Sequence, residues 1–142
     1  MNPSKKSRVV LGVCAAIALS IGSGALWAKE VKVSLTGAEE TPPVTTSATA
    51  TGTFKINDDK SVSGSVKTTG IEGTAAHIHQ GAKGEAGPPI ITLTKGDNGV
   101  WSVPEGSKLT DDQYAAYKAG NLYVNVHSND HKPGEIRAQL KP

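Results

Sequence analysis

Cysteine is almost missing from this sequence, with one in 142 residues, at position 14. Cys14 lies in an N-terminal stretch that reads as an export signal. Lys5, Lys6 and Arg8 form a basic start, residues 9–21 are apolar or small, and Ala25-Leu26-Trp27-Ala28 supplies a small-residue end, so cleavage is expected after Ala28. The apolar run falls short of the roughly 20 residues that span a bilayer, which sets the uncleaved anchor below the cleaved signal. A lipidated leader centred on Cys14 is disfavoured by the bulky Val13 before it. With residues 1–28 removed, the chain has no thiol, which excludes both a disulfide framework and thiolate metal ligation. An excess of positive charge is missing too. Loss of the three leader cations takes Lys and Arg from 15 to 12 against 13 acids, so the formal charge moves from +2 to about −1. That excludes the basic patch that nucleic acid requires. Long hydrophobic runs, internal repeats and low-complexity tails are absent from the rest. The organisation expected is a signal peptide, 1–28, and one exported domain, 29–142, periplasmic or secreted and with no membrane association after cleavage.

What is present is a series of short alternating runs rich in Gly, Thr, Val and Ser, separated by turn signals, the pattern of an all-β sandwich or barrel. Val31, Val33 and Leu35 alternate with Lys32 and Ser34 as a first strand. After the break at Pro42-Pro43, Ala48, Ala50, Gly52, Phe54 and Ile56 share one face of a second. Asn57-Asp58-Asp59-Lys60 turns the chain, and Val62, Gly64 and Val66 continue on a third strand. Later strands are predicted near 74–79, 90–94, 98–103, 121–127 and 134–140. One short helix, 111–119, is signalled by Thr110 as N-cap with Gln113 completing a capping box. Leu109 and Tyr114 are placed as a staple across that cap, and Gly120 as terminator.

The four histidines fall in two clusters, His77-Ile78-His79 and His127-Ser128-Asn129-Asp130-His131. Imidazole is the commonest metal-binding side chain. Strand alternation puts His77 and His79 on one face, with Ile78 on the other. Leu122, Val124 and Val126 form one face of the penultimate strand, and Tyr123, Asn125 and His127 the opposite one. If Ile78 and the valines line the core, three imidazoles project outward and converge where the two strands are neighbours. His131, in a turn-rich loop, is expected to fold back as a fourth ligand. Four nitrogens suit copper, with zinc the other candidate. Asp130 and Glu135 are the expected partners that fix the imidazole tautomers. The competing structural role is that these histidines brace loops through hydrogen bonds to carbonyls.

Other polar features carry less. Gly81, Gly84 and Gly87 lack the Lys-Ser/Thr ending of a phosphate loop and predict an irregular connection beside the histidines. Glu39-Glu40 is expected to be a solvated pair. Arg137 is expected to face away from the core and pair with Glu135 or Glu39, or else to guide an anion towards a metal. No Ser-His-Asp order and no carboxylate pair suggests hydrolysis.

The motifs Leu35-Thr36-Gly37-Ala38-Glu39-Glu40-Thr41-Pro42-Pro43-Val44, Ala76-His77-Ile78-His79 with the following glycines, Leu122-Tyr123-Val124-Asn125-Val126-His127 and Gly134-Glu135-Ile136-Arg137 resemble the CHRD domain, named for chordin and found in exported microbial proteins. The resemblance spans nearly all of 29–142. It implies an immunoglobulin-like or superoxide-dismutase-like Greek-key β-sandwich or barrel. Through the likeness of the His-x-His strand to the copper strand of Cu,Zn superoxide dismutases, it maps His77, His79 and His127 to copper ligands. His131 lies where members of the family vary. Ala138 stands where glycine is usual, and the cysteine pair and carboxylate-rich zinc loop of the dismutases are absent, so dismutase-like chemistry would have to be copper-only.

The function expected is an exported copper-binding protein for buffering, delivery or tolerance, with His77, His79, His127 and His131 as ligands and another periplasmic copper protein as a partner. A copper-only dismutase-like enzyme is the alternative, and a metal-free protein- or glycan-binding module the second alternative. The oligomeric state is not encoded in any motif.

Overall fold

The structure, a computed structural model, describes residues 29–142. The expected signal segment, its expected cleavage after Ala28 and Cys14 lie outside the described residues. Among the described residues nine antiparallel strands follow in the order β1 (Glu30–Thr36), β2 (Thr49–Ile56), β3 (Val62–Thr69), β4 (Gly73–Gln80), β5 (Pro89–Thr92), β6 (Thr94–Lys95), β7 (Val100–Ser102), β8 (Leu122–Ser128) and β9 (Ile136–Leu140). The one α-helix among the described residues, α1 (Asp111–Lys118), lies between β7 and β8. Among the described residues no helix is long and apolar enough to cross a membrane.

The strands form one sheet in the order β5-β4-β8-β9-β1-β2-β3-β7-β6. Its two ends, β5 and β6, are consecutive in the chain and separated only by Leu93. A single extended run therefore pairs with β4 through its first half and with β7 through its second, and Leu93 N–H donates to the Ala76 carbonyl at the changeover. On the other side, β9 meets β1 through one register pair, Arg137 opposite Thr36. The result is a nearly closed barrel whose two halves, β5-β4-β8-β9 and β1-β2-β3-β7-β6, also face each other as a sandwich.

Period-two alternation fills the space between the halves. Val31, Val33 and Leu35 from β1, Ala50, Phe54 and Ile56 from β2, Val62 and Val66 from β3, and Leu122, Val124 and Val126 from β8 are all buried. Ile78 and Ala76 from β4 and Ile136 and Leu140 from β9 complete the layer, with Trp101 and Leu93 near the closure. Removing any one of the larger aliphatic groups costs about 2–5 kcal/mol. The helix forms as its signals require. Thr110 Oγ1 accepts from Gln113 N–H, Gln113 Oε1 accepts from Thr110 N–H, and Gly120 follows the helix at φ 78°, in the left-handed region that a side chain disfavours. Leu109 and Tyr117 anchor this segment to the core.

The outer face of β4-β8-β9 is not a plain solvent face. His79, Asn125, Glu135 and Arg137 are buried there, together with Glu40, which follows β1. The Gly81–Gly87 loop and the 129–134 loop bear on it, creating a second, polar layer outside the barrel.

Candidate metal centre

The pairing of β4 with β8 brings the two histidine clusters together. Ala75 lies opposite His127, His77 opposite Asn125, and His79 opposite Tyr123, so His77, His79 and His127 share the outer face diagonally across two neighbouring strands. Ile78, Val124 and Val126 point the other way and are fully buried. One ligand atom from each of the three imidazoles lies within 4.8 Å of the others, a group that could hold a metal ion. The strand alternation read from the sequence is the physical reason for this convergence.

The hydrogen bonds define which nitrogens are available. His79 Nδ1 is 2.8 Å from the Gly87 carbonyl, and His127 Nδ1 is 2.7 Å from the Lys132 carbonyl. A carbonyl oxygen can only accept, so both Nδ1 atoms carry the proton, and in the neutral rings both Nε2 atoms present lone pairs. His77 Nδ1 lies 3.0 Å from His127 Nε2 and donates to it. His79 Nε2 is buried and has no hydrogen-bond partner; the Oδ1 of Asn125 is the other such atom among the described residues. Leaving a buried polar atom unsatisfied costs about 1–3 kcal/mol, and a bare imidazole lone pair in a cluster of imidazoles is relieved by a cation that accepts it.

The electrostatics favour neutral rings. Burial holds both His77 and His79 below the ordinary histidine pKa, and the neighbouring imidazoles lower them further. Neutral imidazole is the form that ligates metal.

His131 does not join the trio. Its loop is tightened by Ser128 N–H and Gly134 N–H, both donating to the His131 carbonyl, and His131 lines a cavity of about 460 Å3 with Glu40, Pro42, Pro43, Val44 and Pro133. The loop bends so that the Lys132 carbonyl, not the His131 ring, meets the site. The tautomer-fixing partners also differ from expectation. Backbone carbonyls of Gly87 and Lys132 take that role, whereas Glu135 accepts from Thr46 Oγ1 at 2.7 Å and Asp130 is exposed. Glu40 is not solvated; it is 7% exposed, and its carboxyl is raised above the usual range by burial.

Arg137 does point away from the barrel core, but it pairs with neither Glu135 nor Glu39. Its guanidinium donates to the carbonyls of Glu85 and Ala82 and to Gln139 Oε1, and lies 3.5 Å from the centre of the Tyr123 ring. Tyr123 in turn stacks on His79 at 4.8 Å with the rings parallel to within 3°. Its hydroxyl accepts from Gly87 N–H at 3.0 Å. The irregular connection expected at Gly81–Gly87 is therefore a braced loop that aims one carbonyl at His79. At Gly87 only a missing side chain fits, because a Cβ would collide with the Gln80 carbonyl oxygen. Tyr123 was legible as a neighbour of His127 on the same strand face; the backbone carbonyls have no side-chain signal in the sequence.

A sequence profile of the CHRD domain matches residues 31–140. No curated protein and no solved structure matches the chain. With the profile covering the described strands from Val31 to Leu140 and the histidine trio, the chain belongs to the CHRD domain family.

Proposed function

We propose that this is an exported copper-binding protein that holds copper through His77, His79 and His127 and serves copper buffering, delivery or tolerance outside the cytoplasm. The observation that carries this is the buried, unpartnered Nε2 of His79, set among two further imidazoles whose nitrogens lie within 4.8 Å. The donor set supports the choice of metal. It contains neither thiolate nor carboxylate, and imidazole suits copper as it does zinc, iron and nickel, copper standing highest of these in the general order of affinity. Delivery implies a partner, another copper protein of the same compartment, that receives the ion. The test is to load purified protein with Cu(II), and separately with Cu(I) under reducing, anaerobic conditions, and to examine both by mass spectrometry and the Cu(II) form by EPR. One tightly held copper with nitrogen hyperfine structure is expected in the wild type, and none in the triple His→Ala variant. Copper that is not retained, or is retained by the triple variant, removes the proposal.

A second reading is favoured by the position of His131. Three protein ligands leave coordination positions open, which a copper-only superoxide dismutase needs and a saturated carrier does not. A superoxide-consumption assay separates the two. A rate above that of the same concentration of free copper, lost with His79→Ala, supports the enzyme; a rate at background leaves the binding protein.

A further inference from the structure

From the buried charge behind the trio, and resting on the metal-site reading above, we infer that the site is built for monovalent copper, Cu(I), and that Arg137 is the residue that sets this preference. Arg137 is 2% exposed and is the largest fully buried side chain among the described residues. None of the three ion pairs found among those residues includes it. Its contacts are two backbone carbonyls, the Gln139 amide oxygen and the face of Tyr123, which solvate the cation without neutralising it. Glu40, a buried carboxyl of the same layer, accepts from Asn125 Nδ2 at 3.5 Å and forms no ion pair with the guanidinium.

The strand order fixes where this charge acts. β8 lies between β4 and β9, so Tyr123 is sandwiched with His79 on one face and Arg137 on the other. A permanent positive charge thus sits one aromatic ring behind a metal ligand, in a layer from which water is largely excluded. The three donors are imidazoles, with no thiolate or carboxylate among them to bring negative charge against an incoming ion. Repulsion from Arg137 grows with the charge of that ion. At an effective dielectric of about 20, a unit charge at this remove changes affinity by about tenfold for each unit of ion charge. A monovalent ion is therefore disfavoured less than a divalent one. Burial of an arginine is otherwise costly, and a lysine or glutamine could hydrogen-bond to carbonyls of the same loop.

The experiment measures Cu(I) affinity by competition with a Cu(I)-specific chelator under reducing, anaerobic conditions, and Zn(II) affinity by competition with a chromophoric zinc chelator. Arg137→Gln and Arg137→Met should each lower the Cu(I)-to-Zn(II) affinity ratio about tenfold, chiefly by tightening zinc. Arg137→Lys, which keeps the charge but not the forked geometry, should hold the ratio near the wild-type value. If the two neutral variants leave the ratio unchanged, or Arg137→Lys shifts it as they do, the charge does not set the preference and the inference fails while the metal site stands. If the trio takes neither ion, both fall. Should the neutral variants not fold, the wild type decides alone: it must keep Cu(I) against an equimolar Zn(II) challenge, and loss of copper to zinc overturns the inference.

Discussion

A buried imidazole with one nitrogen bonded to a carbonyl and the other bare is destabilising until something accepts the bare lone pair. His79 is in this condition, and His127 is oriented in the same way by the Lys132 carbonyl. His79→Ala should therefore abolish metal retention, a loss of at least a hundredfold in affinity by chelator competition, whereas His131→Ala should leave affinity within about twofold. Equal losses in both would mean that the 129–134 loop closes over the site in solution. The same residues set a pH dependence. Because His77 and His79 are held below their ordinary pKa, the unfolded chain binds more protons than the folded one just below the ordinary value near 6.5. Metal-free protein should thus lose stability as pH falls from that value through the lowered folded-state pKa values. The His77→Ala/His79→Ala double variant should lose less over the same window in denaturant titrations. A parallel loss in both proteins would place the acid sensitivity elsewhere.

At the scale of elements, the candidate metal centre consists of two strands and the loops that cover them. Gly87→Ala should force the Gly81–Gly87 loop away from Gln80 and release the carbonyl that orients His79. The expected result is a ten- to hundredfold fall in metal affinity, in line with the loss of an outer partner of a ligating histidine, and wild-type affinity would show that the loop is dispensable. Thr110→Ala, by contrast, removes the helix cap and should cost about 1 kcal/mol in urea unfolding, leaving metal affinity unchanged. A change in affinity there would tie the helix to the site. Much of this was legible from residue types. The alternation of His77 and His79 about Ile78, and of His127 with Val124 and Val126, was enough to place three imidazoles on one outer face. What alternation cannot reveal is a loop lying on that outer face. It distinguishes barrel core from outside, so it places Asn125 and Arg137 on the outer face without showing that loops bury them there, with Glu135, in a polar second layer. The direction of His131 was equally hidden, because turn-forming residues specify that the chain bends and not which of its groups ends up pointing at the site.

For the whole molecule, closure of the barrel explains why a site on the outside of a sheet can be rigid. The run from β5 to β6 ties both ends of the sheet together, and β4, which carries two of the imidazoles, is paired on both edges, to β5 and β8. Neither strand of the site is a free edge, so the spacing of the three rings is set by two ladders of hydrogen bonds and by a close-packed core beneath them. The three imidazoles are thus pre-organised, and binding of a metal there would have little chain ordering to offset. The most direct test of the central claim is the metal content of the protein purified from its native compartment, without added metal or chelator. The account predicts close to one copper per chain in the wild type and almost none when His77, His79 and His127 are replaced together by alanine. Wild-type protein that comes out free of copper from copper-replete cells, or carries the same copper without the three histidines, would contradict it.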